Sequence, residues 1–267
     1  MRFPRLRAII FYSFLFATSA PVLSLVVLTV SAAWRYPSLL PTVFSWRYLV
    51  SVLAQDRRTA EALINSTLIA ALTTALTLLL AVPAAKALGL YQFRGRQAVK
   101  LLVLLPLMVP GITVTMGMHL TLIHLGLAGS IAGVVVVHTV FTLPYATRVL
   151  INVFELVGEK YEKQAAMLGA SPRMILTDVT LPMIMPGLLS AAIMSFIVSF
   201  SQYITTFFIG GGRILTVPLL LVPHLQSGEI QVAAVYSLLF IMSTLASIAL
   251  MEGIVRKFYK GAYFLQT

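Results

Sequence analysis

Polar side chains recur at helical spacing inside stretches that are otherwise apolar. Ser195, Ser199, Gln202 and Thr206 follow one another at intervals of four, three and four, so on a helix they form one stripe. His138, Thr142 and Tyr145 do the same at intervals of four and three, and Tyr203 sets a ring beside the first stripe. Polar groups in hydrocarbon are costly, and they face a cavity or a partner helix. The chemistry on offer is hydrogen bonding, either to a solute passing between helices or across a helix–helix seam, where Ser and Thr commonly bond. The expectation is that the stripes line a translocation path. Bond-breaking chemistry finds no support. The four histidines and eight acids show no metal-ligand spacing, and His119 and His124 read as surface or packing residues. No Ser/His/Asp arrangement or intramembrane carboxylate pair stands out, and there is no phosphate-binding Gly-x-x-x-x-Gly-Lys-Ser/Thr loop. The absence of cysteine excludes disulfides and thiolate metal sites.

The elements carrying these stripes are membrane spans. Of the 267 residues, 59% are hydrophobic and only 10% charged, against roughly 25% charged in soluble domains. Mean hydropathy is +0.96. A span needs about 20 mostly apolar residues, and six stretches qualify: Ala8–Ala33, Ala62–Leu88, Val99–Leu122, Ile131–Phe154, Pro186–Phe208 and Val232–Ile254. The first follows a basic start and contains "SAA", but its apolar run exceeds the roughly 7–15 residues of a signal peptide's core; it reads as a retained anchor. The net charge of +11 reads as topology rather than nucleic-acid binding, because Lys and Arg collect on the cytoplasmic side. With both termini inside, all 19 basic residues except Arg35, Arg47, Arg57, Arg58 and Arg213 fall on that side. Trp34, Tyr36, Trp46 and Tyr48 suit an interfacial belt outside. Thr216 and Pro218 would start a short outer helix that Pro223 keeps from spanning. One transmembrane domain, 1–267, is expected.

One polar segment between the fourth and fifth spans, about 155–185, is too structured for a simple connector. Glu162, Lys163, Gln164, Ala165, Ala166, Met167 and Leu168 are mostly good helix formers. Gly169 sits where a helix C-cap belongs. After Ala170, Ser171 and Pro172 suit an N-cap and first helical position. The second helix is expected to run to about Val179 and to end at Leu181–Pro182, with Pro186–Gly187 leading back into the bilayer. A helix, a glycine corner and a second helix make a rigid knob, and paired alanines leave a smooth face for a partner.

These residues resemble the signature of the permease subunits of binding-protein-dependent ABC importers. It runs Glu-Ala-Ala, three residues, Gly, then nine to twelve residues to Leu-Pro. Gly169 and Leu181–Pro182 match in spacing, and Pro186–Gly187 matches the usual continuation. The chain departs at the start: Lys163 stands at the Glu position and Gln164 at the first Ala, with Ala165 at the second and Glu162 one residue earlier as the carboxylate. "LLPLMVPG" at 104–111 and the six-span layout are similar to the spermidine/putrescine-type branch. The resemblance implies the type I ABC importer permease fold, all-α, in a bacterial inner membrane. It implies coupling to a cytoplasmic ATPase through 159–182, with Glu162, Gln164, Ala165, Ala166, Gly169, Ala170, Ser171, Leu181 and Pro182 at the contact. It further implies a second permease subunit, usually a different chain, two ATPase subunits that bind the ATP and magnesium, and a periplasmic or lipid-anchored binding protein. No cofactor is then expected in this chain, which is surrounded by membrane lipid and is not itself an enzyme.

The solute is expected to be small and polar. A polyamine would favour acids or aromatic rings, and "SFSQY" offers Tyr203 but has Ser201 and Gln202 where acids are expected in polyamine-type relatives. The competing reading is an ion-coupled secondary transporter. It would need an ionisable group in mid-membrane or broken-helix repeats, whereas Lys86, Arg148 and Glu252 lie near span ends. A scaffold would not need polar stripes.

Overall fold

The computed structural model describes residues 4–34, 38, 41 and 43–258. Arg2, Arg35, Tyr36 and Lys260 lie outside the described residues, as do the side chains of Arg5, Arg7, Arg256 and Lys257. Among the described residues, five helices are long and apolar enough to cross a membrane, and a bent pair makes a sixth span. The chain divides into two compact units, Met1–Leu63 with Val217–Ser243, and Ile64–Thr216 with Thr244–Thr267.

The first unit holds α1 (Pro4–Thr29), the strands β1 (Ser31–Ala33) and β2 (Val43–Phe44), α2 (Arg47–Val50) with a π-helical turn Ser51–Gln55, and α11 (Val217–Gln226). The expected first span shifts toward the N-terminus: α1 starts at Pro4 and stops at Thr29, and Ser31 and Ala33 pair antiparallel with Phe44 and Val43. Helix α11 forms as expected, but the Thr216 hydroxyl does not cap it; it is buried without a hydrogen-bond partner among the described residues. Tyr236 is buried here and bonds Thr59 at 3.1 Å and Asp56 at 3.3 Å. Two helices continue from this unit into the second, α3 (Arg57–Leu90) and α12 (Ile230–Phe258).

The second unit carries both polar stripes and the glycine corner. Its elements are α4 (Arg96–Leu104), α5 (Gly111–His124), α6 (Ile131–Val157), α7 (Lys160–Met167), α8 (Pro172–Met174), α9 (Leu181–Phe200) and α10 (Ile204–Gly210). Helix α6 runs along α9 and is the centre of the packing. One apolar cluster gathers Ile69, Val134, Val137, Phe141, Ile209 and Ile214. A second joins Ala81, Ala85, Ala146, Leu150, Phe154, Ile184 and Ala191. Small residues let the backbones approach closely, as membrane helices require. A Cβ on Gly89 would lie 2.9 Å from Phe154 Cβ, and one on Gly187 2.4 Å from Val153 Cγ2.

Three expected boundaries change. The third span is not straight: α4 and α5 meet at 96°. Pro106 and Pro110 lack the N–H that a continuing helix needs, so Leu105–Leu107 tightens to a 3-10 turn and Gly111 restarts the chain. The fifth span does not begin at Pro186. A continuous helix runs from Pro172 to Phe200, with a π-helical turn at Ile175–Thr180. Leu181–Pro182 therefore does not end the second corner helix. The ring of Pro182 crowds the carbonyl of Asp178 and gives no N–H, and the helix widens there instead of stopping. At its far end this span breaks at Ser201–Tyr203 before α10.

Candidate functional site

Each residue of the corner has a local reason to be where it is. Helix α7 ends in a Schellman cap: Gly169 N–H donates to Ala166 O at 3.0 Å and Ala170 N–H to Ala165 O at 3.0 Å. That closure needs a left-handed residue, and Gly169 has φ +85°. Ser171 is extended and its Oγ accepts from Met174 N–H at 3.4 Å, which starts the next helix with Pro172 in the first turn. Gln164, Ala166, Met167, Leu168 and Ser171 are exposed, while Ala165, Ala170 and Leu181 are half-buried and Pro182 lies in the first turn of α9.

Glu162 points the other way. Its carboxylate accepts from Lys86 Nζ at 2.8 and 2.7 Å, and from Thr180 Oγ1 at 2.5 Å. Burial raises the Glu162 pKa, but the Lys86 and Thr180 hydrogen bonds and the charge of Lys86 outweigh it, leaving the carboxyl below the ordinary glutamate range. Lys163 faces solvent and pairs with Glu159, one turn earlier on the same face. The neighbouring end of α3 is tied down separately. Arg96 donates to Leu88 O at 2.8 Å and Gly89 O at 3.2 Å, and pairs with Glu155 on α6 at 3.1 Å; Lys100 joins the same carboxylate at 3.0 Å.

The two polar stripes meet inside the unit. His138 is buried on α6; its Nδ1 lies 2.9 Å from Ser199 Oγ and its Nε2 lies 3.1 Å from Thr206 Oγ1. The Thr206 hydroxyl donates to Gln202 O at 2.9 Å. It therefore accepts from Nε2–H, and Nδ1 accepts from Ser199. Thr142 meets Thr77 of α3 at 2.6 Å, and Ser195 donates back to Ala191 O at 2.8 Å. Gln202 Oε1 accepts from Thr205 at 2.9 Å, and Tyr203 stacks on Phe207. Thus His138, Thr142, Ser195, Ser199 and Thr206 are buried, whereas Tyr145, Gln202 and Tyr203 are half-exposed.

The family described as "Binding-protein-dependent transport system inner membrane component" matches residues 78–261, more than half of the 267-residue chain. The chain belongs to this family. It is 26% identical over 214 residues to the spermidine/putrescine transport system permease protein PotC of Haemophilus influenzae, covering 80% of this chain and 83% of that protein. It is also 26% identical to the putrescine transport system permease protein PotI of Escherichia coli, over 81% of this chain and 78% of that one. The molybdenum transport system permease protein ModB of Mycobacterium tuberculosis shares 35% identity, over 57% of this chain and 62% of its own length. In fold the chain is similar to a bacterial ABC transporter involved in the import of the acidic polysaccharide alginate, with a TM-score of 0.69, 18% identity and coverage of 98% and 96% of the two chains. This protein is a multi-pass permease subunit of an ABC importer in the inner membrane.

The sequence placed Lys86 near a span end without naming its partner, and gave no sign of Thr180. The signal for a partner was that Lys86 is the one charge in the apolar stretch Ala62–Leu88. Gly187 was singled out only as part of the Pro186–Gly187 return; its close contact with Val153, 34 positions away in sequence, is visible only in three dimensions.

Proposed function

We propose that residues 159–182 are the seat of a cytoplasmic ATPase and that both chain termini lie on the same side. The observation that carries this reading is the corner itself: α7 and the start of the long helix Pro172–Phe200, joined through a Schellman cap and a serine N-cap, with Met167, Leu168 and Met174 exposed at the tip. A lone exposed tip of this kind has nothing to hold in the isolated chain, and the family places such a permease in an assembly with ATPase and binding-protein partners. In this reading two ATPase subunits bind the ATP and magnesium, and a second permease subunit completes the pore. An extracytoplasmic binding protein supplies the solute, and the cycle is alternating access driven by closure of the ATPase pair.

The solute favoured here is a small organic polycation of the polyamine class. Support comes from the PotC and PotI relatives, which align over about four-fifths of this chain. Tyr145, Gln202 and Tyr203 are the side chains of the stripes left open enough to meet it, and the tyrosine rings offer cation–π contact. His138, Ser199 and Thr206 hold α6 against α9 and α10 behind them. Proteoliposomes containing the whole importer test this. ATP-dependent uptake of labelled spermidine, reduced by Gln202→Leu with Tyr203→Leu, is the expected result. Uptake of molybdate in its place would move the assignment to the oxyanion relatives. Uptake by this chain alone, driven by an ion gradient, would overturn the ATP-coupled reading.

A further inference from the structure

Helix α7 is eight residues long and is bounded by two glycines in the left-handed region, Gly158 at φ +67° and Gly169 at φ +85°. Glycine eases backbone rotation at the Gly158 end, while the Schellman cap closes the Gly169 end, so one end of α7 is left for side-chain contacts to hold. An open groove of about 630 Å³ beside α7 is lined by Gly89, Leu90, Arg96, Glu155, Glu159 and Lys163. What crosses to α3 is the Glu162 carboxylate, held by Lys86 on both oxygens and by Thr180 from the π-helical turn. The side chains of Lys86 and Glu162 are only 27% and 19% exposed, where an ion pair is poorly screened and loss of one partner strands the other charge. Lys163 does not compete for this carboxylate, because Glu159 occupies it.

We propose that Lys86, Glu162 and Thr180 form a fixed ionic brace that makes the corner and α3 move as one body. Force applied to the corner then enters the membrane through two helices: the continuous helix Pro172–Phe200, by way of the chain, and α3, by way of the brace. Glu162 acts as a positioning residue in this arrangement and does not contact the ATPase; the outward position on α7 belongs to Lys163. The π-helical turn is part of the device, since it carries Thr180, the third member of the brace. The proposal rests on the reading of 159–182 as the ATPase seat.

The test uses the complete importer, reading ATPase retained on purification and solute moved per ATP hydrolysed. Glu162→Gln and Lys86→Met are expected to retain the ATPase and to lower solute per ATP by about five-fold or more. The exchange Lys86→Glu with Glu162→Lys is expected to restore much of it, as paired charges do in a double-mutant cycle. Loss of the ATPase as the main effect of Glu162→Gln would make Glu162 a docking contact and overturn the brace. So would normal coupling in the single variants, or an exchanged pair no better than either. An unaltered complex that retains no ATPase would overturn the seat and, with it, the brace. The chain has no cysteine, so Lys86→Cys with Glu162→Cys gives a second route. A short cross-link between them is expected to form in every nucleotide state and to leave transport running. A link that forms in one state only, or that stops turnover, would show that the two elements separate, and the brace fails.

Discussion

Glu162 is a carboxylate drawn toward protonation by burial and held ionised by Lys86 and Thr180, and the second influence wins. Its folded-state pKa therefore lies below the ordinary value of 4.5. A group shifted in this direction contributes its full stabilisation above the ordinary pKa and loses it as pH falls through the lowered one. Protection factors of the α7 amides, with the intrinsic pH dependence of exchange divided out, should accordingly be high at neutral pH and fall on acidification below the ordinary glutamate range. In Glu162→Gln they should be low throughout, without that step. Gly187 gives a second prediction at this scale. A methyl there meets Val153, whose β-branched side chain has little rotamer freedom. Gly187→Ala should cost about 1–3 kcal/mol, read as a lower Tm in detergent, and Val153→Ala should recover part of it. Neither effect was legible from residue type. The resemblance set Glu162 at the ATPase contact, and only the direction of α7 shows that Glu162 turns inward to Lys86 while Lys163 turns out to Glu159.

At the scale of elements, each helix-period stripe does share one face, because a spacing of three and four puts side chains on one side of a helix whatever packs there. What lies opposite is a tertiary fact. His138 on α6 meets Ser199 and Thr206 across the seam, and His138→Leu should leave both hydroxyls without their partner. The expected cost is about 1–2 kcal/mol, measured as a drop in Tm, with His138→Gln losing less. Proline misled the boundaries in both directions. Pro106 and Pro110 do break the third span, whereas Pro182 only widens a helix that continues to Phe200. The difference is context. Pro182 follows the π-helical turn Ile175–Thr180, whose wider ladder takes up the ring and the missing N–H, so the helix continues.

For the whole molecule, composition and six long apolar stretches were enough for an all-α membrane protein, since the bilayer admits few alternatives. The family followed from a short polar segment whose glycine and proline spacing reflects a built corner. The solute did not follow, because the half-exposed Tyr145, Gln202 and Tyr203 are chemically permissive. In the proposed reading the corner at 159–182 holds the ATPase only while its cap is closed. Gly169→Val tests it most directly, because a β-branched residue at φ +85° costs about 1–3 kcal/mol and opens the Schellman cap without touching a span. The measurement is ATP-driven uptake by the reconstituted importer, together with the amount of ATPase that co-purifies. The predicted result is a permease that inserts normally, retains little ATPase and transports at a small fraction of the unaltered rate. Full ATP-driven transport by Gly169→Val, with the ATPase retained, would contradict it.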